Sequence, residues 1–237
     1  MIIVFYISVS MKCTLTDIST CNHEKAPACW PIISNRFTSA YDCCAAYFAY
    51  QAAEVLERLK PANLIPLPNR RCNKGLTLYE GWQHWGEEIA RASALETITL
   101  ANHGTHGLLL IFRRELLAAH INAKKTQAVL STIGYPKGTS LDMLLAALQD
   151  RFQRGECPHE IGILLGYPLK DVIGFMGIAN IPFTCQGPWK IYGCPQESIK
   201  LAHAIKQCRS KMVQELASCT SPLQCLSGNR HENVMHA

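Results

Sequence analysis

The spacing of apolar side chains along the chain predicts a series of helices interrupted by one hairpin. Cys44, Phe48, Ala52, Val55, Leu56 and Leu59 recur at i, i+4, i+8, i+11, i+12 and i+15, with Glu54, Glu57 and Arg58 outside that stripe. This is the period of an amphipathic helix over about 43–59. Pro61 ends it, because the residue before a proline is pushed out of the α region. The turn-rich stretch from Pro61 to Gly75 reads as a long loop, which in a compact domain is often functional. A second helix is expected over about 79–93, with Trp82, Trp85 and Ile89 on one face. Thr97 to Ala101 alternates as a half-buried strand does, Asn102 to Thr105 supplies a turn, and Gly107 to Phe112 reads as a strand buried on both faces.

Helices are expected next at about 114–121 and 123–133, with Gly134 placed to cap the second and Pro136 just beyond. Ser140 can N-cap a helix whose inner face is Leu141, Leu144, Leu145, Leu148 and Phe152. Pro158 and Pro168 each open a short helix. Trp189 to Tyr192 is a short strand candidate, and a last helix is expected over about 196–217, with a frayed tail from Ser218 onward. Residues 1–40 lack helical period and read as a loop-rich N-terminal extension. The pattern predicts one α+β domain over residues 41–217, with a small, mainly antiparallel sheet. The 97–112 hairpin and the 189–192 strand would form that sheet, packed against several helices.

Composition narrows the function classes. Hydrophobic residues make up 48% and charged residues 17% of the 237, an ordinary globular balance. The net charge of +5 comes from basic residues scattered in runs no longer than two, whereas a nucleic-acid binder gathers them on one face. Nucleic acid is therefore not an expected partner. The apolar stretch Met1 to Ser10 falls short of the roughly 20 residues that span a bilayer and has no basic residue before it. No membrane association is expected, and the twelve cysteines are read as mostly free thiols in a cytoplasmic protein. Cys13, Cys21 and Cys29, with His23 among them, lack the tight pairing that chelates zinc. P-loop, Gly-x-Gly-x-x-Gly, Gly-x-Ser-x-Gly, Cys-x-x-Cys and His-Glu-x-x-His signatures are missing.

Two segments carry candidate chemistry. His159 and Glu160 fall in the first turn of an expected helix, where free N–H groups favour a carboxylate and a neutral imidazole able to act as base or ligand. Lys190 and Tyr192 share one face of the 189–192 strand, with an anion as their natural partner. Cys185 is a candidate nucleophile if a base lies beside it. Cys157, His159 and Cys185, joined by Cys194 and Cys208, are metal-ligand candidates only if the fold gathers them.

The run Pro158-His-Glu-Ile-Gly162, Leu165-Gly-Tyr-Pro-Leu169, Asp171-Val172 and Gly174-Phe175, followed by Cys185-x-Gly187-x-Trp189-Lys-x-Tyr-Gly193, is distinctive. Together with Leu59-Lys-Pro-Ala-Asn-Leu64 and Leu109-Leu-Ile-Phe-Arg113, it resembles the bacterial domain of unknown function 3793 family, found mostly in anaerobic, Clostridia-like Firmicutes. The resemblance spans about Leu59 to Met212. It departs where family members carry a His-Cys pair, for Gln51 and Ala52 stand there, with Glu54 in place of a following proline. It implies a bacterial cytosolic protein and assigns no activity and no cofactor. The leading expectation is binding of a small anionic ligand or cofactor in anaerobic metabolism, near His159, Glu160, Lys190 and Tyr192. The Lys60–Asn63 loop would serve as a lid. The alternatives are an enzyme using His159 as base or Cys185 as nucleophile, and a metal or redox protein.

Overall fold

A six-residue strand with no polar side chain, Gly107–Phe112, lies at the centre of the fold in a computed structural model that describes residues 33, 35–69 and 75–227. Its alternate side chains enter two separate apolar layers. Leu109 and Ile111 point into one, and Leu108, Leu110 and Phe112 into the other. Each layer is roofed by helices, so the arrangement is helix, sheet, helix, the architecture a strand buried on both faces demands.

The first described helix, α1 (Ala40–Leu56), is N-capped by Ser39, whose hydroxyl accepts the Asp42 N–H. Its small residues Ala45, Ala46, Ala49, Ala52 and Ala53 are all fully buried, which lets neighbouring elements approach closely on several sides. Glu54, expected on the outer face, is instead completely buried. After α1 the chain enters β1 (Ala62–Leu67), where the sequence pattern predicts a loop. β1 pairs antiparallel with the central strand, from Ala62 opposite Phe112 to Leu67 opposite Gly107. Pro66 is tolerated because β1 lies at the sheet edge, where a missing N–H breaks no second ladder. The Tyr47 hydroxyl donates to the Pro66 carbonyl at 2.7 Å and ties the strand to α1. Part of the remaining expected loop, residues 70–74, lies outside the described residues.

Helix α2 (Leu78–Ser93) opens with a capping box: Thr77 accepts the Glu80 N–H at 3.0 Å and Glu80 accepts the Thr77 N–H at 2.7 Å. Trp82 stacks on Phe48 with ring centroids 5.1 Å apart, sealing α2 to α1. The expected hairpin then forms from β2 (Glu96–Asn102) and β3 (Gly107–Phe112), giving a sheet in the order β1-β3-β2. The expected helices follow as α3 (Arg114–Asn122), α4 (Lys124–Thr132) and α5 (Leu141–Gln153), the last N-capped by Ser140. α6 (Ile161–Leu164) and α7 (Leu169–Met176) are the two expected short helices; Pro168 directly precedes α7, whereas α6 begins only at Ile161, so Pro158, His159 and Glu160 form the turn before it and not its first turn.

The strand expected at 189–192 is present as β5 (Lys190–Tyr192), but it does not join the main sheet. It pairs with β4 (Phe183–Gln186), which the pattern did not reveal, in a separate two-stranded sheet. Helix α8 (Gln196–Ser218) returns across α1 and brings Met212, Val213 and Leu216 into the first apolar layer. The expected fraying from Ser218 does not hold as far as Leu226. Pro222–Cys225 forms a 3-10 turn, and Cys225 and Leu226 are buried in that same layer. At the other end, Ile33 and Phe37 also belong to it, and Arg36 donates to the Leu216 and Cys219 carbonyls. The described end of the expected N-terminal extension is therefore part of the domain, while residues 1–32 lie outside the described residues.

The second layer, under α3 to α7, rests on Leu117, Ile121, Leu144, Leu148 and Ile163, each fully buried. Truncation of Leu148 to Ala removes buried methyl groups from its centre and is expected to cost about 2–5 kcal/mol, read as a lowered urea midpoint with an unchanged m value.

Candidate functional site

Three segments far apart in the chain meet around Tyr167. Gly166 has φ +72°, a left-handed conformation, and a Cβ there would lie 2.6 Å from Pro61 Cδ. Glycine therefore satisfies both the backbone and the close approach of the Lys60-Pro61 segment. The Tyr167 ring, 7% exposed, takes the Lys60 ammonium at 4.9 Å from its centroid and the Trp189 ring at 4.7 Å. The motif segments 59–63, 165–169 and 189–193 thus form one contact unit between the main sheet and the β4–β5 hairpin.

Lys60 and Asn63 do not form a lid. Lys60 is 1% exposed and donates to Asn63 Oδ1 at 3.1 Å, and Asn63 is a fully buried residue of β1. Asn63 Nδ2 in turn donates to the Gln51 carbonyl at 2.8 Å and to Glu54 Oε2 at 3.4 Å. Glu54 Oε1 accepts from Arg209 Nε at 2.7 Å, an ion pair that reaches across from α8. Gln51 and Glu54, two of the positions where the chain departs from the resembled pattern, are both members of this buried polar cluster.

Asp171 organises the opposite side of Tyr167. It is 2% exposed and accepts four hydrogen bonds: Oδ1 from Lys170 Nζ at 2.7 Å and the Tyr192 N–H at 2.9 Å, Oδ2 from Trp189 Nε1 at 2.8 Å and Ser198 Oγ at 2.5 Å. Lys170 Nζ also donates to the Tyr192 carbonyl and to Ser198. One carboxylate thereby joins α7, β5 and the first turn of α8. Burial alone would raise its pKa. The donors from Lys170, Ser198, Tyr192 and Trp189 outweigh that and hold it below the ordinary carboxylate value.

Glu160 is not free to cap a helix or to meet a ligand. It is 4% exposed, makes no capping bond, and is paired with Arg151 and with the Tyr135 hydroxyl at 3.1 Å. Burial and the neighbouring Glu160 push the Tyr135 hydroxyl up to about 12. α6 is also pinned from the side by His120, whose ring nitrogen meets the Ile163 carbonyl at 2.9 Å. A carbonyl only accepts, so Nε2 carries the proton. Burial holds that imidazole below its ordinary pKa, with the bond to Ile163 pulling the other way.

His159 is half-buried and its ring stands edge-on to Phe175, centroids 5.1 Å apart. Its Nδ1 is buried with no hydrogen-bond partner, and burial lowers its pKa, so the ring is held toward the neutral form. The Lys190 ammonium lies 5.8 Å from the same Phe175 ring, so His159 and Lys190 meet through it. Tyr192 does share the strand face with Lys190, but that face packs on α7: a Cβ at Gly174 would lie 2.6 Å from Tyr192 Cγ. Cys185 sits on β4 opposite Ile191, and among the described residues its thiol makes no side-chain hydrogen bond. Cys157, His159 and Cys185 are not gathered for a metal either. Among the described residues no group of three or more His, Cys, Asp or Glu side chains is placed to hold one.

Lys190 and His159, candidates by residue chemistry, share the Phe175 ring, while Asp171, Lys170, Ser198, Glu54 and Arg209 emerge only with the fold. For Asp171 the signal was present: an acidic residue within the apolar stretch Leu169, Val172, Ile173 and Met176 needs buried donors. For Ser198 and Arg209 there was none, because each lies on a helix whose partner is far away in sequence.

Fold and site together define an α+β domain whose small sheet is covered by helices on both faces, with a hairpin locked to it through one buried carboxylate. The chain belongs to the family described as "Protein of unknown function (DUF3793)", whose model matches residues 48–226. Neither a curated protein nor a solved structure matches it.

Replacing Asp171 with Asn puts a donor among four donors and is expected to cost roughly 2–4 kcal/mol at pH 7. Because the folded carboxylate titrates below its unfolded value of about 3.9, its stabilisation is present above that pH and is lost as pH falls through the lowered folded value. Urea midpoints of wild type and Asp171→Asn should therefore differ most near neutrality and converge in acid.

Proposed function

We propose that this chain binds a small anionic ligand at the corner where His159, Phe175 and Lys190 meet. The reading is carried by His159 Nδ1, a buried polar atom without a hydrogen-bond partner, beside a Glu160 carboxylate and an Asp171 carboxylate that are both paired. Leaving such an atom unpaired costs about 1–3 kcal/mol, so the position is explained best by an acceptor that arrives from outside. The ring as a whole is half-buried. A neutral imidazole supplies a hydrogen bond, and the exposed Lys190 ammonium supplies the charge. Asp171 holds the chain on either side of Lys190, accepting from Trp189 Nε1 before it and from the Tyr192 N–H two residues after it, so the ammonium is offered from a held strand.

A single ammonium and one imidazole suit a carboxylate or a single phosphate group rather than a polyphosphate. The basic residues elsewhere are dispersed, which favours a small molecule over nucleic acid. Among the described residues no helix is long and apolar enough to cross a membrane. The proposal sets the binding in the cytoplasm, with the role in anaerobic metabolism resting on the family resemblance alone. The nucleophile and metal readings have no supporting contact and are set aside.

Calorimetric titration with inorganic phosphate, acetate and pyrophosphate tests the proposal. Saturable binding of one of the first two is expected, weakened about 10–100-fold in both Lys190→Ala and His159→Ala, the loss of one charge-assisted or buried hydrogen bond. Absence of binding by all three at millimolar concentration, or binding indifferent to both substitutions, would falsify it.

A further inference from the structure

Charge at the corner of His159, Phe175 and Lys190 is unbalanced in one direction. The charged and titratable groups on the surrounding elements are spent on one another. On α5 and just beyond it, Arg151 and Arg154 share Glu156, and Arg151 also holds Glu160. The Tyr135 hydroxyl, after α4, donates to that same Glu160. His120 on α3 is committed to the Ile163 carbonyl, and on α7 Lys170 and Asp171 pair with each other. Lys190 on β5 is the exception. It makes no ion pair among the described residues and lies, like His159, against the Phe175 ring. An imidazolium at His159 would thus meet Arg151 and Lys190 while the adjacent Glu160 carboxylate is already taken.

We infer that the corner takes up its anion together with a proton from solution, which His159 carries for as long as the anion is bound. This regulation rests on the anion-binding reading itself. In the empty corner burial holds the ring toward its neutral form, with the Arg151 charge acting in the same direction and Glu160 against it. Nδ1 has no hydrogen-bond partner to fix a proton there. An anion seated at Lys190 supplies the missing negative charge, and an opposite charge close by favours the protonated imidazole. The free ring therefore titrates below its ordinary value and the bound ring above the free one. Between those two values binding consumes a proton, so affinity rises as pH falls, by about tenfold per pH unit where uptake is complete. Above the bound value the ammonium acts alone and affinity levels off.

Imidazole NMR titrations of the full-length protein over about pH 5 to 8 test this. They are run in sodium chloride, acetate and phosphate at equal ionic strength, with the His159 signal assigned by its loss in His159→Gln. In acetate or phosphate the His159 midpoint is expected to rise by about one unit over its value in chloride. Lys190→Ala should cancel that rise, and His84, on a helix of the opposite layer, should not move. Calorimetry over the same range gives a second readout. Wild-type affinity, divided by that of His159→Gln at each pH, should increase as pH falls, a ratio in which the ionisation of phosphate cancels. Saturable binding that leaves the His159 midpoint where chloride leaves it overturns this inference and spares the binding site. No saturable binding of acetate or phosphate at any of these pH values overturns both.

Discussion

A carboxylate taken out of water must be given donors in its place, and Asp171 receives four. That requirement shapes the second half of the molecule. The β4–β5 hairpin is short, carries a register shift, and has Phe183 more than half exposed. A two-stranded sheet of this size is marginal by itself. It holds its place because Trp189 Nε1 and the Tyr192 N–H must reach the Asp171 carboxylate, and because Tyr192 fits the gap left by Gly174. Ser198 brings the start of α8 to the same point, so hairpin and helix share a single electrostatic anchor.

The central strand imposes a different kind of constraint. Both faces of β3 are apolar, so helices have to cover both. The division of labour along the chain follows from that. α1, α2, α8 and the final 3-10 turn close one face, and α3 to α7 close the other. The two layers are bridged where the chain crosses at Lys60-Pro61, against Gly166 and Tyr167. The motif segments therefore lie where the layers are joined, which accounts for their unusual mixture of glycine, proline, aromatic and charged residues in structural terms.

Periodicity made the helices and the hairpin legible because each is a local pattern: Ser140 with its leucines, or the alternation from Thr97 to Ala101, needs no distant partner to be recognised. What failed was every feature whose cause lies elsewhere in the chain. β1 holds two prolines' worth of turn signal, Pro66 within it and Pro61 before it, and becomes a strand only because β3 supplies the other half of its ladder. Glu54 was read as solvent-facing from its place on the stripe, yet Arg209, 155 residues later, neutralises it in the interior. The expectation of a Lys60–Asn63 lid follows from the turn-rich, loop-like stretch that begins at Pro61, whereas Lys60 is held in the interior by Asn63 and the Tyr167 ring, a burial rare for lysine. The candidate site was half legible. His159 and Lys190 are legible from residue chemistry, while the role of Asp171, which holds the strand that carries Lys190, depends on donors from Trp189, Tyr192 and Ser198 further along the chain.

His159 and Glu160 show how adjacent residues acquire opposite fates. Both arrive at the start of α6 through the same turn, and both leave solvent to some degree. Glu160 finds Arg151 and Tyr135 on neighbouring elements and is consumed by them, so its negative charge cannot repel an anion arriving nearby. Among the described residues His159 meets the edge of Phe175, a contact that fixes a ring without satisfying a nitrogen. A fold that neutralises Glu54, Glu160 and Asp171 with internal donors while leaving Lys190 exposed has removed the local negative charges and kept a positive one. Buried ion pairs of this kind contribute little net stability, because desolvation offsets most of their attraction. Their consequence at this corner is electrostatic sign, and the proposed anion rests on that sign.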